Sequence, residues 1–151
     1  MGTHFKGPAD QVAALDTFIK LMRAAESVSS RAHAILPAGL TITQFGVLEV
    51  LHHLGPRCPS ELAGKLLKSA GNLTLVVDNL AKAGLVRRER NPGDRRFLTI
   101  HLTDKGQAFI TGLFPKVAAA ITAEFAVLAS PEQAALADLC RKLGRGRPTP
   151  G

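Results

Sequence analysis

The sequence contains no tryptophan and no tyrosine, and its only aromatics of the Phe/Trp/Tyr class are seven phenylalanines. Phenylalanine is not interleaved with the basic residues, which argues against a stacking platform for single-stranded nucleic acid. Two cysteines, Cys58 and Cys140, are too few for a disulfide framework, so the expected localisation is cytoplasmic. No stretch approaches the roughly 18 apolar residues of a membrane span. The opening Met1-Gly2-Thr3-His4-Phe5-Lys6 carries no apolar signal run and lacks the Ser or Thr at position six that a myristoylation motif needs, so no membrane partner is expected. Motifs for catalysis are missing as well: no Ser/His/Asp, Cys/His, paired-carboxylate or phosphate-cradling pattern is found, and the reading is not an enzyme. His33, His52, His53 and His101 do not form a metal set, and the adjacent His52 and His53 point in different directions on a helix. No metal or cofactor is expected.

What is present is an ordinary globular composition, 46% hydrophobic and 21% charged over 151 residues. That length favours one domain with a helical extension and suffices to bury a core. Acid is scarce relative to base, 12 Asp and Glu against 19 Lys and Arg, and the excess is localised. Residues 1–64 carry five bases and five acids, residues 65–105 nine and four, and residues 106–151 five and three. A basic patch focused in the middle of the chain points to a polyanionic partner, most often nucleic acid; the plainer alternative is a solvated basic face.

Apolar residues at spacings of three and four (Val12, Leu15, Ile19, Met22; Phe18, Ala25) predict a helix over 10–36, ended by Pro37-Ala38-Gly39. Thr41 and Gln44 form a T-x-x-Q capping box for a second helix to His53, with Phe45, Leu48 and Leu51 facing inward and His52 beside them. Gly55-Pro56 stops it. A short third helix starts at Cys58-Pro59-Ser60-Glu61, Pro59 being suited to the first helical position. Leu62, Ala63 and either Leu66 or Leu67 turn to the core. Ser69 is the expected N-cap of a fourth helix over 70–83, whose Leu73, Val76, Val77 and Leu80 make one apolar stripe. Gly84 stops it. From Leu85 the period changes to two: 85–90 and 97–102 read as strands joined by Asn91-Pro92-Gly93-Asp94, a hairpin with a basic tip. Thr103 caps a fifth helix to about Leu128, its apolar side traced by Phe109, Leu113, Val117, Ile121, Phe125 and Leu128, with Pro115 expected to kink it or cost a hydrogen bond. Ser130-Pro131-Glu132-Gln133 opens a sixth helix to Leu143. The Gly/Pro/Arg-rich tail, 145–151, reads as disordered.

The fold class is therefore mainly α with a small β-hairpin, in the order of a winged helix-turn-helix with helices on both sides. The fourth helix would present Ser69, Asn72, Thr74, Leu75, Asn79 and Lys82, a neutral and small polar face suited to a major groove. Asn pairs bidentately with adenine, and Leu75 or the Thr74 methyl can meet a thymine methyl. Asp78 on this face would repel DNA and is expected to turn away or to pair with a nearby Arg or Lys. Of Arg95 and Arg96 at the hairpin tip, one is expected to enter a minor groove and the other to lock the turn with Asp94. Lys65, Lys68, Arg87, Arg88 and Arg90 would mainly meet phosphates.

These residues carry a resemblance. Leu40-Thr41-Ile42-Thr43-Gln44-Phe45, Ser60-Glu61-Leu62-Ala63, the run from Asn79 to Val86, and above all Asp94-Arg95-Arg96 followed by Leu102-Thr103-Asp104-Lys105-Gly106 make residues 41–106 similar to the MarR family of bacterial transcriptional regulators. The stretch Leu67–Thr74 resembles the branch of that family that senses quinones or phenolic compounds. The resemblance implies a homodimer, with dimerisation helices at 1–39 and 107–144 around a winged helix-turn-helix at 40–106. Double-stranded DNA, read as a pseudo-palindrome, would be the partner, and repression the activity. It also implies a small-molecule pocket, for which Arg31, His33 and His53 are candidates, and a phenolic or quinone-like ligand. Position 75 is commonly polar or basic in such proteins, and Leu75 here favours a thymine methyl or a backbone contact. Cys58, at a helix N-terminus beside Arg57, is a candidate redox sensor; the plainer reading is a small residue filling a gap. Cys140, beside Leu139 and Leu143, reads as dimer packing, with an intersubunit disulfide as the alternative. The alternative function is a winged-helix module for protein interaction or metabolite binding without sequence-specific DNA binding.

Overall fold

The computed structural model describes residues 2–148; positions 149–151 of the expected disordered tail lie outside the described residues. The elements are α1 (Ala9–Ala32), a 3-10 turn (His33–Ile35), α2 (Ile42–Leu54), α3 (Pro59–Leu66), α4 (Ala70–Lys82), β1 (Val86–Arg90), β2 (Leu98–Leu102), α5 (Asp104–Phe125) and α6 (Ser130–Arg145). The chain divides into two compact units. One is His33–Ala118; the other is formed by the described residues up to Ala32 together with those from Ala119 on.

The His33–Ala118 unit carries the core. Phe45, Val47, Leu48 and Leu51 of α2, Leu62 of α3, Leu73, Val76, Val77 and Leu80 of α4, Leu85 and Val86, Ile100 of β2, and Ile110, Leu113 and Val117 of α5 form one buried cluster. The helices start as their chemistry requires. Thr41 Oγ1 accepts from Gln44 N at 3.1 Å while Gln44 Oε1 accepts from Thr41 N at 2.9 Å, a complete capping box. Ser69 Oγ accepts from Asn72 N at 3.2 Å. Of the two leucines left open at the end of α3, Leu66 packs against the core and Leu67 is 90% exposed. Leu67 N donates to Gly64 O at 3.4 Å and Lys68 N to Ala63 O at 3.0 Å, the bond pattern of a Schellman close. This puts Leu67 in the left-handed region, φ 53° and ψ 42°, the only non-glycine among the described residues with positive φ. Such a conformation costs a leucine about 1–2 kcal/mol relative to glycine.

β1 and β2 pair antiparallel, Val86 opposite Leu102 and Arg90 opposite Leu98. A third segment joins the hairpin: Ile100 N donates to Arg57 O at 2.8 Å and Arg57 N to Ile100 O at 3.3 Å. A hook ties the hairpin to both flanking helices. Thr103 N donates to Leu85 O at 3.1 Å, Thr103 Oγ1 donates to Gly84 O at 2.5 Å and accepts from Gly106 N at 3.0 Å, and Lys105 Nζ caps the end of α4 through Ala83 O at 2.8 Å. Gly106 is buried so close to the Leu85 carbonyl that a Cβ there would lie 1.9 Å from its oxygen.

α5 runs unbroken through the exposed Pro115, which removes one backbone donor. Its buried stripe is Gly106, Ile110, Leu113 and Val117; of the expected apolar side, Leu113 and Val117 are buried, Phe109 packs half-buried against the core, and Ile121 is exposed. By length and composition α5 is apolar enough to cross a membrane, contrary to the expectation from apolar runs; its Ile110, Leu113 and Val117 lie in the buried core cluster.

In the other unit, α1 places Leu15, Phe18 and Met22 in the open, and no described residue of α6 is buried. α6 does not use Ser130 as its cap. Ala129 takes that position, its N–H satisfied by Glu132 Oε2 at 2.7 Å, because Pro131 fits the first turn and Glu132 then falls three residues after Ala129. Gln133 Nε2 donates to the carbonyls of Phe125 and Leu128 at 3.0 and 3.1 Å, which closes the α5–α6 turn.

Candidate nucleic-acid interface

With Leu73, Val76, Val77 and Leu80 buried, helical geometry puts Asn72, Thr74, Leu75, Asn79 and Lys82 on the open side of α4, and all five are exposed, as is the cap residue Ser69. Ser69 spends its acceptor on the cap. Thr74 Oγ1 donates to Ala70 O at 3.0 Å, so its hydroxyl is turned to its own helix. Leu75 is 62% exposed. Asp78 is paired, as anticipated, with the Arg88 guanidinium of β1. This neutralises the one acid on the helix and ties α4 to the hairpin.

The basic residues fall into two groups. Arg87 is paired with Glu89 at 2.5 Å, Arg88 with Asp78, and Arg96 with Asp94. Lys65, Lys68, Lys82 and Arg95 are exposed, with no side-chain hydrogen bond or ion pair among the described residues. Arg90 lies between the two groups, its NH1 donating to Arg95 O at 2.9 Å across the hairpin loop. Arg96 answers a question the sequence left open. Its Nε and NH2 reach Asp94 Oδ1 and Oδ2 at 3.0 and 2.8 Å, and its N–H also bonds Oδ1 at 3.0 Å. The Arg96 guanidinium, and then this N–H, hold the Asp94 carboxyl below the ordinary carboxylate range, while the same pairing raises Arg96. Arg96 is therefore the arginine bound to Asp94. Gly93 N on Asn91 Oδ1 at 2.8 Å completes the loop. Glu89 is likewise held low, first by Arg87 and then by His101, whose Nε2 lies 3.4 Å away.

Cys58 is half-buried at the N-cap of α3, and its sulfur makes no capping bond. Its N–H donates to Glu61 Oε2 at 3.0 Å and its Sγ lies 3.1 Å from Ser60 Oγ. The Cys58 N–H, and then its thiol, hold Glu61 below the ordinary range. Arg57 turns its NH1 to the Pro56 carbonyl at 2.8 Å. Cys140 is exposed on α6. Of the pocket candidates, Arg31 is paired with Glu124 at 2.7 Å, His33 sits edge-on to Phe45 at 5.9 Å, and His53 edge-on to Phe114 at 4.5 Å. No group of three or more His, Cys, Asp or Glu among the described residues is arranged to hold a metal.

Sequence reasoning missed the Arg57–Ile100 bridge, and of the Thr103–Lys105–Gly106 hook it anticipated only the Thr103 cap, which accepts from Gly106 N at 3.0 Å. The second was already visible as L-T-x-x-G. Its small residue is needed beside the Leu85 carbonyl, and its threonine to join two carbonyls and an amide.

Three packed helices, the last with an open polar face, followed by an antiparallel hairpin with a basic tip, define a winged helix-turn-helix, a class of DNA-binding protein. The comparisons narrow the class. The model of the MarR family matches residues 40–97. YkoM, an HTH-type transcriptional regulator of Bacillus subtilis, is 36% identical over 134 residues, covering 87% of this chain and 86% of its own. The HTH-type transcriptional regulator MhqR of the same organism is 34% identical over 131 residues, 86% of this chain and 90% of its own. The crystal structure of AbsC, a MarR family transcriptional regulator from Streptomyces coelicolor, superposes with a TM-score of 0.82 over 95% of this chain and 100% of that one, at 22% identity, a likeness of fold. The chain belongs to the MarR family of DNA-binding transcriptional regulators.

Proposed function

We propose that the protein is a homodimeric repressor, working in the cytoplasm, that reads a pseudo-palindromic operator and leaves it when a small phenolic or quinone-like molecule, or an oxidant, reaches it. The observation that carries the reading is α4. Its apolar stripe is spent on the core, while Asn72, Thr74, Leu75, Asn79 and Lys82 stand open on the far side. Asn72 and Asn79 are suited to adenine edges. Lys65 and Lys68 flank the same end and would neutralise phosphates. Arg95, held at the tip by a loop that Arg96 and Asp94 lock, is the arginine for the minor groove. Arg87, Arg88 and Arg96 first serve the hairpin and its junction with α4. The homodimer, with dimerisation helices at 1–39 and 107–144, is supported by the exposed Leu15, Phe18 and Met22 of α1, Ile121 of α5, and Leu136, Leu139 and Leu143 of α6. Two winged units would then meet half-sites about 10 base pairs apart.

The ligand class rests on the likeness of Leu67–Thr74 to the quinone- and phenol-sensing branch. Arg31, His33 and His53 are its proposed pocket residues. The oxidant route rests on Cys58, a free thiol at the start of α3. A coupling of roughly 1–3 kcal/mol would give about 5- to 150-fold derepression. The test is fluorescence anisotropy on DNA from the protein's own upstream region with scrambled competitor, followed by quinones, phenols and peroxide. Competitor-resistant binding released by one of these supports the reading. Cys58→Ser should abolish oxidant- or quinone-triggered release; unchanged release removes the thiol from the mechanism. Absence of binding at low salt overturns the regulator of this operator.

A further inference from the structure

We infer that this regulator selects its half-sites chiefly through thymine C5-methyl groups, and that Leu67, in the turn before α4, is a specificity-determining residue alongside Leu75 and the Thr74 methyl. The inference rests on the DNA-reading role proposed above for α4 and deepens it. The turn between α3 and α4 needs a residue of positive φ, and glycine would fill it without strain. Leucine stands there instead, strained and 90% exposed, with no place in the core. A leucine that closes this turn at a cost glycine would avoid, and that packs into no core, points to a role for its side chain outside the fold. Its surroundings give the occupant. Lys65 and Lys68 on either side are exposed cations, so the patch faces a polyanion. Ser69, two residues on, is the N-cap of α4, the end of a recognition helix that meets base edges. On that helix Leu75 is 62% exposed, and the exposed Thr74 has its hydroxyl bonded to Ala70 O, so the methyl is the group its side chain has to spare. Leu67, Thr74 and Leu75 thus offer apolar groups where base-reading side chains are usually polar. In a major groove the apolar feature is the thymine methyl.

The experiment selects the tightest duplexes from a random-sequence library with the full-length protein, then remakes the winner with deoxyuridine for thymine, one position at a time. The expected selection contains thymines within each half-site. The expected loss is about fourfold for each methyl contacted, the effect of burying one such group. Leu67→Gly should melt at or above the wild-type temperature, bind the selected duplex several-fold more weakly, and be insensitive to deoxyuridine at one of these positions while keeping its response to the others. That pattern separates a contact from a structural role, which would lower stability and affinity together. Half-sites without thymine, or a Leu67→Gly protein that matches wild type in affinity and in its response to every methyl, overturns the inference while wild-type binding keeps the DNA reading intact. Failure of the wild-type protein to enrich any sequence overturns both.

Discussion

The two compact units are built to opposite rules. His33–Ala118 buries fifteen hydrophobic residues in one cluster, and its helices, hairpin and hook supply every layer of that core. In the other unit Ala32 is the only buried hydrophobe among the described residues, while Leu15, Phe18, Met22, Ile121, Val127, Leu136, Leu139 and Leu143 are exposed. Burial of apolar surface is the main favourable term in folding, at about 25 cal/mol per Å². The first unit gathers that term within one chain. The second leaves much of it unused, and the proposed second copy would offer the same leucines in return. The difference places the apolar surface still to be covered in α1, the end of α5 and α6, where the proposed dimer would form, and not in the winged unit.

The comparison can be broken most severely inside the winged unit. Gly106→Ala would push a methyl against the Leu85 backbone carbonyl, which has no flexible end to give way. We expect a loss of about 3 kcal/mol or more and a melting temperature lower by roughly 10 °C in a circular-dichroism melt. Gly112→Ala, with nothing within 4 Å of its Cβ, should be neutral or slightly stabilising in the same assay. In the helical unit the substitutions act on assembly. Leu139→Glu with Leu143→Glu should leave the winged unit folded but give a monomer in light scattering, and operator affinity should fall by about 100-fold or more as bivalency is lost.

The next effects sharpen the division of labour in the hairpin. Arg95→Ala should cost about 1 kcal/mol or more in operator binding with an unchanged melt. Arg96→Ala should instead broaden the amide signals of residues 91–97 in an NMR spectrum, because it frees the loop. Acidification acts in the same direction. The folded-state pKa of Asp94 is depressed, so what its pairing with Arg96 contributes is present above the ordinary carboxylate range and is lost as pH falls through the lower, folded value. Those loop signals should therefore broaden at low pH and be steady near neutrality. The smallest effects belong to single phosphate contacts: Lys65→Ala and Lys68→Ala should each weaken binding to all sequences alike and reduce the log–log salt slope by about 1.

The winged unit was legible because its signals are local. The spacing of Leu73, Val76, Val77 and Leu80, the Thr41–Gln44 box and the Ser69 cap each sit within one turn of helix, and the structure has all of them. What was illegible depends on approach between elements. The Arg57–Ile100 pairing is a single residue long and has no period to detect. Gly106 on the buried side of α5 lies against the Leu85 carbonyl, twenty-one positions earlier in the chain, a close approach that no helical spacing announces. The α6 start moved by one residue because Glu132 reaches back to Ala129, which has no capping side chain to announce it. For the interface, the Asp78 pairing could be anticipated from charge repulsion alone. The assignment of Arg96 to Asp94 could not, since two adjacent arginines carry the same chemistry and only the loop geometry distinguishes them.

The central claim is that two copies of this chain hold one duplex through two winged units. The most direct measurement is the mass of the complex, by analytical ultracentrifugation, on a duplex of upstream DNA, with anisotropy titrations of the same mixture from low to moderate salt. The account predicts two protomers per duplex, resistance to scrambled competitor, and an affinity that falls steeply and linearly on a log–log salt plot. A single protomer per duplex, or an affinity indifferent to salt, would contradict it.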